Sequence, residues 1–216
     1  MSEKLWAEVD DYIIDRMVDI DDALASCQRA AKAAGLPHIA VSAAQGKMLH
    51  LFAKSIGAKR ILEVGTLGGY SAIWLARALP VDGKLVTLEI DPKHAKTAKG
   101  SIEAAGLGDR VDVQTGAALD LLPKLSGPFD LAFIDANKED NAAYFEHAVR
   151  MSRKGSLIIV DNVVREGKVI DPNGNSMVQG VRKLFDLVST DKRVSATAIQ
   201  TVGDKGYDGF LMAIVL

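Results

Sequence analysis

The chain has 216 residues, 48% hydrophobic, 25% charged and 6% aromatic, which favours one compact globular domain over a disordered, collagen-like or disulfide-stapled chain. With 26 basic against 28 acidic residues the net charge is −2, so no overall positive field draws the molecule to nucleic acid or anionic lipid. The lone Cys27 cannot close an internal disulfide, the N-terminus has no basic stretch leading into an apolar core, and no apolar run reaches the roughly 18 residues that span a bilayer. A cytoplasmic protein with no membrane partner is the expectation.

From Leu5 to Ala34, apolar residues at Leu5, Val9, Tyr12, Ile13, Val18 and Leu24 recur at a mostly three-to-four spacing among aspartates, which predicts one or two amphipathic helices. Gly35 and Pro37 stop the pattern. Ser42 with Gln45 three positions later has the form of a capping box, and starts another helix. Residues 1–57 thus read as a helical cap. Beyond Lys59, short apolar runs alternate with helical stretches: strands over Ile61–Gly65, Lys84–Ile90, Val111–Thr115, Phe129–Ala136 and Ser156–Val163, helices over Tyr70–Leu79, Pro92–Ala105, Ala117–Leu125, Asn141–Ser152 and Met177–Ser189. Strands such as L-A-F-I-D and L-I-I-V-D are apolar on both faces, as buried parallel strands are. Val194–Val202 and Tyr207–Leu216, separated by Gly203-Asp204-Lys205-Gly206, predict an antiparallel hairpin. The expected fold is therefore α/β: a Rossmann-like, doubly wound sheet of about seven strands, mostly parallel, with a C-terminal antiparallel hairpin and helices on both faces. Cap and body (58–216) are expected to form a single domain.

In such sheets ligands bind beyond the carboxyl ends of the strands, so those ends carry the chemistry. The first strand runs into Glu63-Val64-Gly65-Thr66-Leu67-Gly68-Gly69-Tyr70-Ser71, where glycines allow a tight turn and close approach of a nucleotide-like ligand. The glycines stand at offsets 0, 3 and 4, not in the dinucleotide G-x-G-x-x-G pattern, and could serve only as turn punctuation. Glu89, at the end of the second strand, is placed to accept ribose hydroxyls, while Asp91-Pro92 can simply start the next helix. The fourth and fifth strands end in Asp135-Ala136-Asn137-Lys138 and Asp161-Asn162. Two carboxylates and an amide on neighbouring strands would suit Mg²⁺, Mn²⁺ or Ca²⁺; each aspartate alone could instead be a turn former.

These motifs, E-V-G-T-L-G-G-Y-S, L-E-I-D, D-A-N-K and D-N, resemble those of the cation-dependent O-methyltransferases, the family of catechol and caffeoyl-CoA O-methyltransferases and many bacterial relatives, over about Ile39 to the C-terminus. The resemblance implies S-adenosylmethionine as cofactor, with Val41, Glu63, Gly65 and Ser71 near its methionine portion, Glu89 on its ribose, Ala117 at its adenine and Asp135 beside it. It implies Asp135, Asp161 and Asn162 as ligands of a divalent cation, Lys138 as general base, a small phenolic substrate and a homodimer whose N-terminal helices join the interface or cover the site. The chemistry is coherent. A phenol's unperturbed pKa is about 10, and a cation on both oxygens of a vicinal diol would favour the anion and align it for attack.

Many relatives carry an aromatic residue soon after the D-N pair, whereas this chain reads Val163-Val164-Arg165-Glu166-Gly167. The turn-rich Val164–Asn175 loop is the expected specificity element, with Arg165 assigned to an acidic substrate group. An NAD-dependent oxidoreductase, a methyltransferase for another class of small molecule, and a non-catalytic binding protein are the competing readings; the first lacks its glycine fingerprint.

Overall fold

The computed structural model describes residues 3–216, so the first two residues of the expected cap lie outside the described residues. Three helices come first: α1 (Glu3–Met17), α2 (Asp22–Ala33) and α3 (Ala43–Ser55). Asp21 caps α2 by accepting from the Leu24 N–H at 3.1 Å, and Ser42 caps α3 by accepting from the Gln45 N–H at 3.2 Å. Leu24, Cys27, Leu49 and Ala53 join one apolar core with sheet residues Ile61, Leu85, Leu131 and Ile159. By contrast α1, packed on the C-terminal hairpin and α3, buries none of its side chains. Gly46 lets α3 lie against the next helix, because a Cβ there would sit 2.3 Å from Trp74 Cδ1.

The body follows as β1 (Arg60–Val64), α4 (Tyr70–Ala78), β2 (Lys84–Glu89), α5 (Pro92–Ala104), β3 (Val111–Thr115), α6 (Ala118–Leu121), β4 (Phe129–Ile134), α7 (Asn141–Arg150), β5 (Ser152–Asp161), α8 (Ser176–Thr190), β6 (Val194–Gly203) and β7 (Gly206–Val215). Seven strands form one sheet in the order β3-β2-β1-β4-β5-β7-β6, parallel through β5 and antiparallel at β5–β7 and β7–β6. Every residue of β4 is buried, as its two-sided apolar sequence requires. A second core, containing Leu62, Ile134, Phe145, Ile158, Val181 and Leu184, fills the other face.

Two boundaries differ from the sequence reading by more than two residues. The helix expected over Ala117–Leu125 is one short turn, α6, that tightens into a 3₁₀ turn at Leu122–Lys124, because Pro123 has no N–H to continue the α ladder. Strand β5 begins at Ser152, earlier than the apolar run suggests, since Ser152 already pairs with Phe129. No described helix is long and apolar enough to cross a membrane.

Candidate active site

Strand register assembles the site. Val64 pairs with Leu88 and Ile134, and Ile134 with Val160, so the next residues, Glu89, Gly65, Asp135 and Asp161, form one row along the carboxyl edge of β2-β1-β4-β5. The strand order reverses between β1 and β4, in the middle of that row. The crevice at such a reversal is where open α/β sheets take ligands.

Asp135 and Asp161 are adjacent and differently held. Lys138 Nζ lies 2.8 Å from Asp135 Oδ1, and Lys138 is only 7% exposed. Asp161 Oδ1 accepts from the Asn162 N–H at 2.8 Å, and its Oδ2 accepts from Gln45 Nε2 at 2.7 Å. Burial, and after it the charge of Asp135, pushes the Asp161 carboxyl up to about 7. Asn162 follows with φ of 57°, a left-handed turn that asparagine tolerates better than most residues. Among the described residues no three His, Cys, Asp or Glu side chains gather as a metal cluster. A cation here would rest on two carboxylates and the Asn162 amide, with substrate or water oxygens completing its shell. With both carboxylates ionised this all-oxygen set would carry one more negative charge than Lys138 balances, and it fits a hard divalent ion.

Glu63 and Glu89 flank the glycine turn. Glu89 Oε2 accepts from the Thr66 and Leu67 N–H groups at 3.2 and 2.7 Å, and Oε1 accepts from the Asp91 N–H at 3.0 Å. Its carboxylate thus anchors the turn that contains Leu67 at φ 50°, a role that acidic residues at strand ends do not advertise in sequence. Asp91 separately caps α5 through the Lys93 and His94 N–H groups. Glu63 is fully buried, with Thr87 Oγ1 donating to its Oε2 at 2.6 Å and, among the described residues, no hydrogen-bond partner at Oε1. Ser71 and Val41 are also buried, and Ala117 is half-buried at the start of α6.

Burial first, then the charges of Asp135 and Glu89, raises the Glu63 carboxyl from about 4.5 to about 7. Between those values the folded chain keeps a proton that the unfolded chain has released, so stability falls as pH rises through that window and levels off above it. For a fully buried group this amounts to roughly 3 kcal/mol. In Glu63→Gln, where an uncharged amide keeps the Thr87 contact, the melting temperature of the ligand-free protein should exceed wild type by roughly 6–12 °C at pH 8 and far less at pH 5. Parallel melting-temperature profiles against pH for the two proteins would refute the assignment.

Beyond Asn162 the structure revises one expectation. Asp208 Oδ1 accepts from the Val164 and Arg165 N–H groups at 3.0 and 2.8 Å, and the Arg165 guanidinium lies 3.8 Å from Asp208 Oδ2. Arg165 therefore has an acidic partner inside the chain, and its charge does not require an acidic substrate. Downstream, α8 presses on the Lys138 turn: a Cβ on Gly180 would sit 2.2 Å from Lys138 O, and Ser176 Oγ donates to Glu139 at 2.8 Å. The roles of Gln45, Asp208 and Gly180 in the site all escape the sequence reading, because each acts on a residue distant in the chain: Asp161 at the end of β5, Val164 and Arg165 beyond it, and Lys138 beyond β4.

Comparison with known proteins places this architecture. The O-methyltransferase family model matches residues 16–211. A catechol O-methyltransferase from Niastella koreensis is 49% identical over 220 residues, covering 100% of both chains. A Bacillus cereus O-methyltransferase solved with SAH is 51% identical at a TM-score of 0.98, covering 100% of both chains. A Streptomyces achromogenes O-methyltransferase of tomaymycin synthesis, solved with SAM, is 48% identical at a TM-score of 0.97, covering 100% of this chain and 99% of that one. With the family's sequence pattern running through nearly the whole described fold, the chain belongs to the O-methyltransferase family.

Proposed function

We propose that the protein transfers a methyl group from S-adenosylmethionine to one hydroxyl of a small catechol-like ortho-diphenol, assisted by a divalent cation, Mg²⁺ foremost and Mn²⁺ or Ca²⁺ as substitutes. The observation that carries this reading is the juxtaposition of Asp135, Asp161 and Asn162 with a buried lysine, at the ends of the two strands that follow β1 and its glycine turn in the sheet. Glu63, Glu89, Asp135 and Asp161 make this edge acidic, which favours a cationic sulfonium donor as well as a metal ion. The donor would lie along Val41, Glu63, Gly65, Ser71, Glu89 and Ala117, reaching Asp135. The likeness to SAM- and SAH-bound O-methyltransferases and to a catechol O-methyltransferase supports this over a nicotinamide enzyme.

Asp135, Asp161 and Asn162 would hold the cation, whose charge favours a phenolate over the neutral phenol. Lys138 would receive the phenolic proton at Nζ as the neutral amine, its own ammonium proton having first left to solvent, and Asp135, bonded to that Nζ, orients it. Gly65, lacking a side chain, lets the Asp135 carbonyl lie close against the end of β1 and so sets the spacing of the edge where the donor would lie. A homodimer belongs to the same proposal: α1 leaves Leu5, Val9, Tyr12 and Met17 exposed.

The test is incubation with labelled S-adenosylmethionine, Mg²⁺ and a panel of ortho-diphenols, flavonoids, acyl-CoA thioesters and monophenols. Label should enter the vicinal diols far faster than the monophenols, stop in excess EDTA and return when Mg²⁺ is restored. Undiminished turnover in EDTA would overturn the cation's role; labelling of monophenols at an equal rate would overturn the diol.

A further inference from the structure

We infer that Gln45 is the positioning residue for the cation set: it fixes the Asp161 carboxylate through a neutral hydrogen bond and so leaves that carboxylate's charge for the ion. The inference rests on the divalent-cation reading proposed above.

The geometry is unusual for the residue's place in the helix. Gln45 stands three residues after the Ser42 cap, where a capping-box glutamine turns back to the cap's own N–H. Only half of that box forms. Ser42 Oγ accepts from the Gln45 N–H, but the Gln45 side chain reaches across the cap to Asp161 Oδ2 at 2.7 Å. With Oδ1 held by the Asn162 N–H at 2.8 Å, the carboxylate has both oxygens tethered and its plane fixed.

The residue type matters. Asp161 is 5% exposed, so an unsatisfied oxygen there is costly and a donor is required. A lysine or arginine would supply the bond but neutralise the charge that attracts a cation. A glutamate would set a third carboxylate against Asp135 and Asp161. Glutamine satisfies the oxygen and adds no charge. Its reach is steadied from both sides, by the Ser42 cap and by Gly46, whose missing side chain seats α3 against Trp74. Partners of this kind, behind the ligands themselves, orient metal sites and tune their affinity.

The test measures Mn²⁺ binding directly, by calorimetry on the donor-free protein, for wild type, Gln45→Met and Gln45→Ala. Methionine keeps length and volume but donates no hydrogen bond; alanine removes the side chain. S-adenosylhomocysteine affinity and melting temperature are recorded for all three. Both variants should bind Mn²⁺ about 10- to 100-fold more weakly, with S-adenosylhomocysteine affinity unchanged. Wild type that binds no Mn²⁺ would defeat the cation reading itself. Wild type that binds Mn²⁺ no better than Gln45→Met would defeat the role of Gln45 alone. Equal losses of Mn²⁺ and S-adenosylhomocysteine affinity, with a collapsed melting temperature, would defeat it too, since they would mark Gln45 as a packing residue.

Discussion

Gly65→Ala should nearly abolish donor binding and lower the melting temperature, although it adds one methyl group. Gly65 has φ of +99°, a conformation that L side chains rarely adopt, and holding a non-glycine residue in such a region costs roughly 1–3 kcal/mol. Space is worse than strain. A Cβ would sit 2.1 Å from the Asp135 carbonyl oxygen and 2.7 Å from its carbon. Asp135 cannot retreat easily, because its N–H donates to Val64 O at 2.8 Å and β4 is buried along its length. Relief would come from spreading β1 and β4 at the strand reversal, where the donor is proposed to lie. The expected result is a loss of at least roughly 3 kcal/mol, or about 6–12 °C in melting temperature. Calorimetry should show S-adenosylhomocysteine affinity reduced by about 100-fold or more, the equivalent of nearly 3 kcal/mol. Gly100→Ala is the control: nothing lies within 4 Å of a Cβ built there, and alanine in a helix should be neutral or slightly stabilising. An alanine at 65 that binds like wild type would mean that the donor does not depend on the spacing of β1 and β4.

The contrast between Gly65 and Gly100 also shows which parts of the molecule the sequence discloses. The strand ends were legible because periodicity locates a buried parallel strand, and its last residues then fall on the ligand-binding edge. Glu89, Asp135 and Asp161 follow from that argument, and the register sets all three in one row. The hairpin was equally plain, from two β-rich runs around Gly203–Gly206, and the structure pairs them end to end. What stayed hidden is what touches the row from elsewhere. Gln45 satisfies a local capping pattern so well that its contact 116 positions away has no sequence signature. Arg165 reads as a free cation in a loop, and only the fold brings Asp208 to it. Gly180 is a poor helix former inside a good helix, a signal for close approach, but its neighbour, the Lys138 carbonyl, is known only once α8 is docked. For α1 the limit is different: its apolar spacing gives the helix correctly, yet none of its residues is buried, so the spacing names no partner.

Lys138→Met should depress kcat by about 10²- to 10⁴-fold, the range for losing a positioned general base, while donor affinity stays close to wild type. The decisive measurement is cation binding, because base and structural roles predict opposite signs. Lys138 Nζ occupies Asp135 Oδ1 at 2.8 Å and its charge pulls the Asp161 carboxyl down against burial. Removing it leaves two neighbouring carboxylates with no countercharge, so Mn²⁺ should bind the variant at least as tightly as wild type even as turnover collapses. If Lys138 merely propped the site open, cation affinity and turnover would fall together. Asp135→Ala separates the roles from the other side: it deletes a proposed ligand and strips the buried ammonium of its bonded partner, so cation binding, turnover and stability should all drop. Lys138→Arg should not restore turnover, since a guanidinium stays protonated at every working pH and cannot take a proton. Wild-type turnover in Lys138→Met would remove this lysine from the chemistry and leave Asp135 to be explained as a ligand alone.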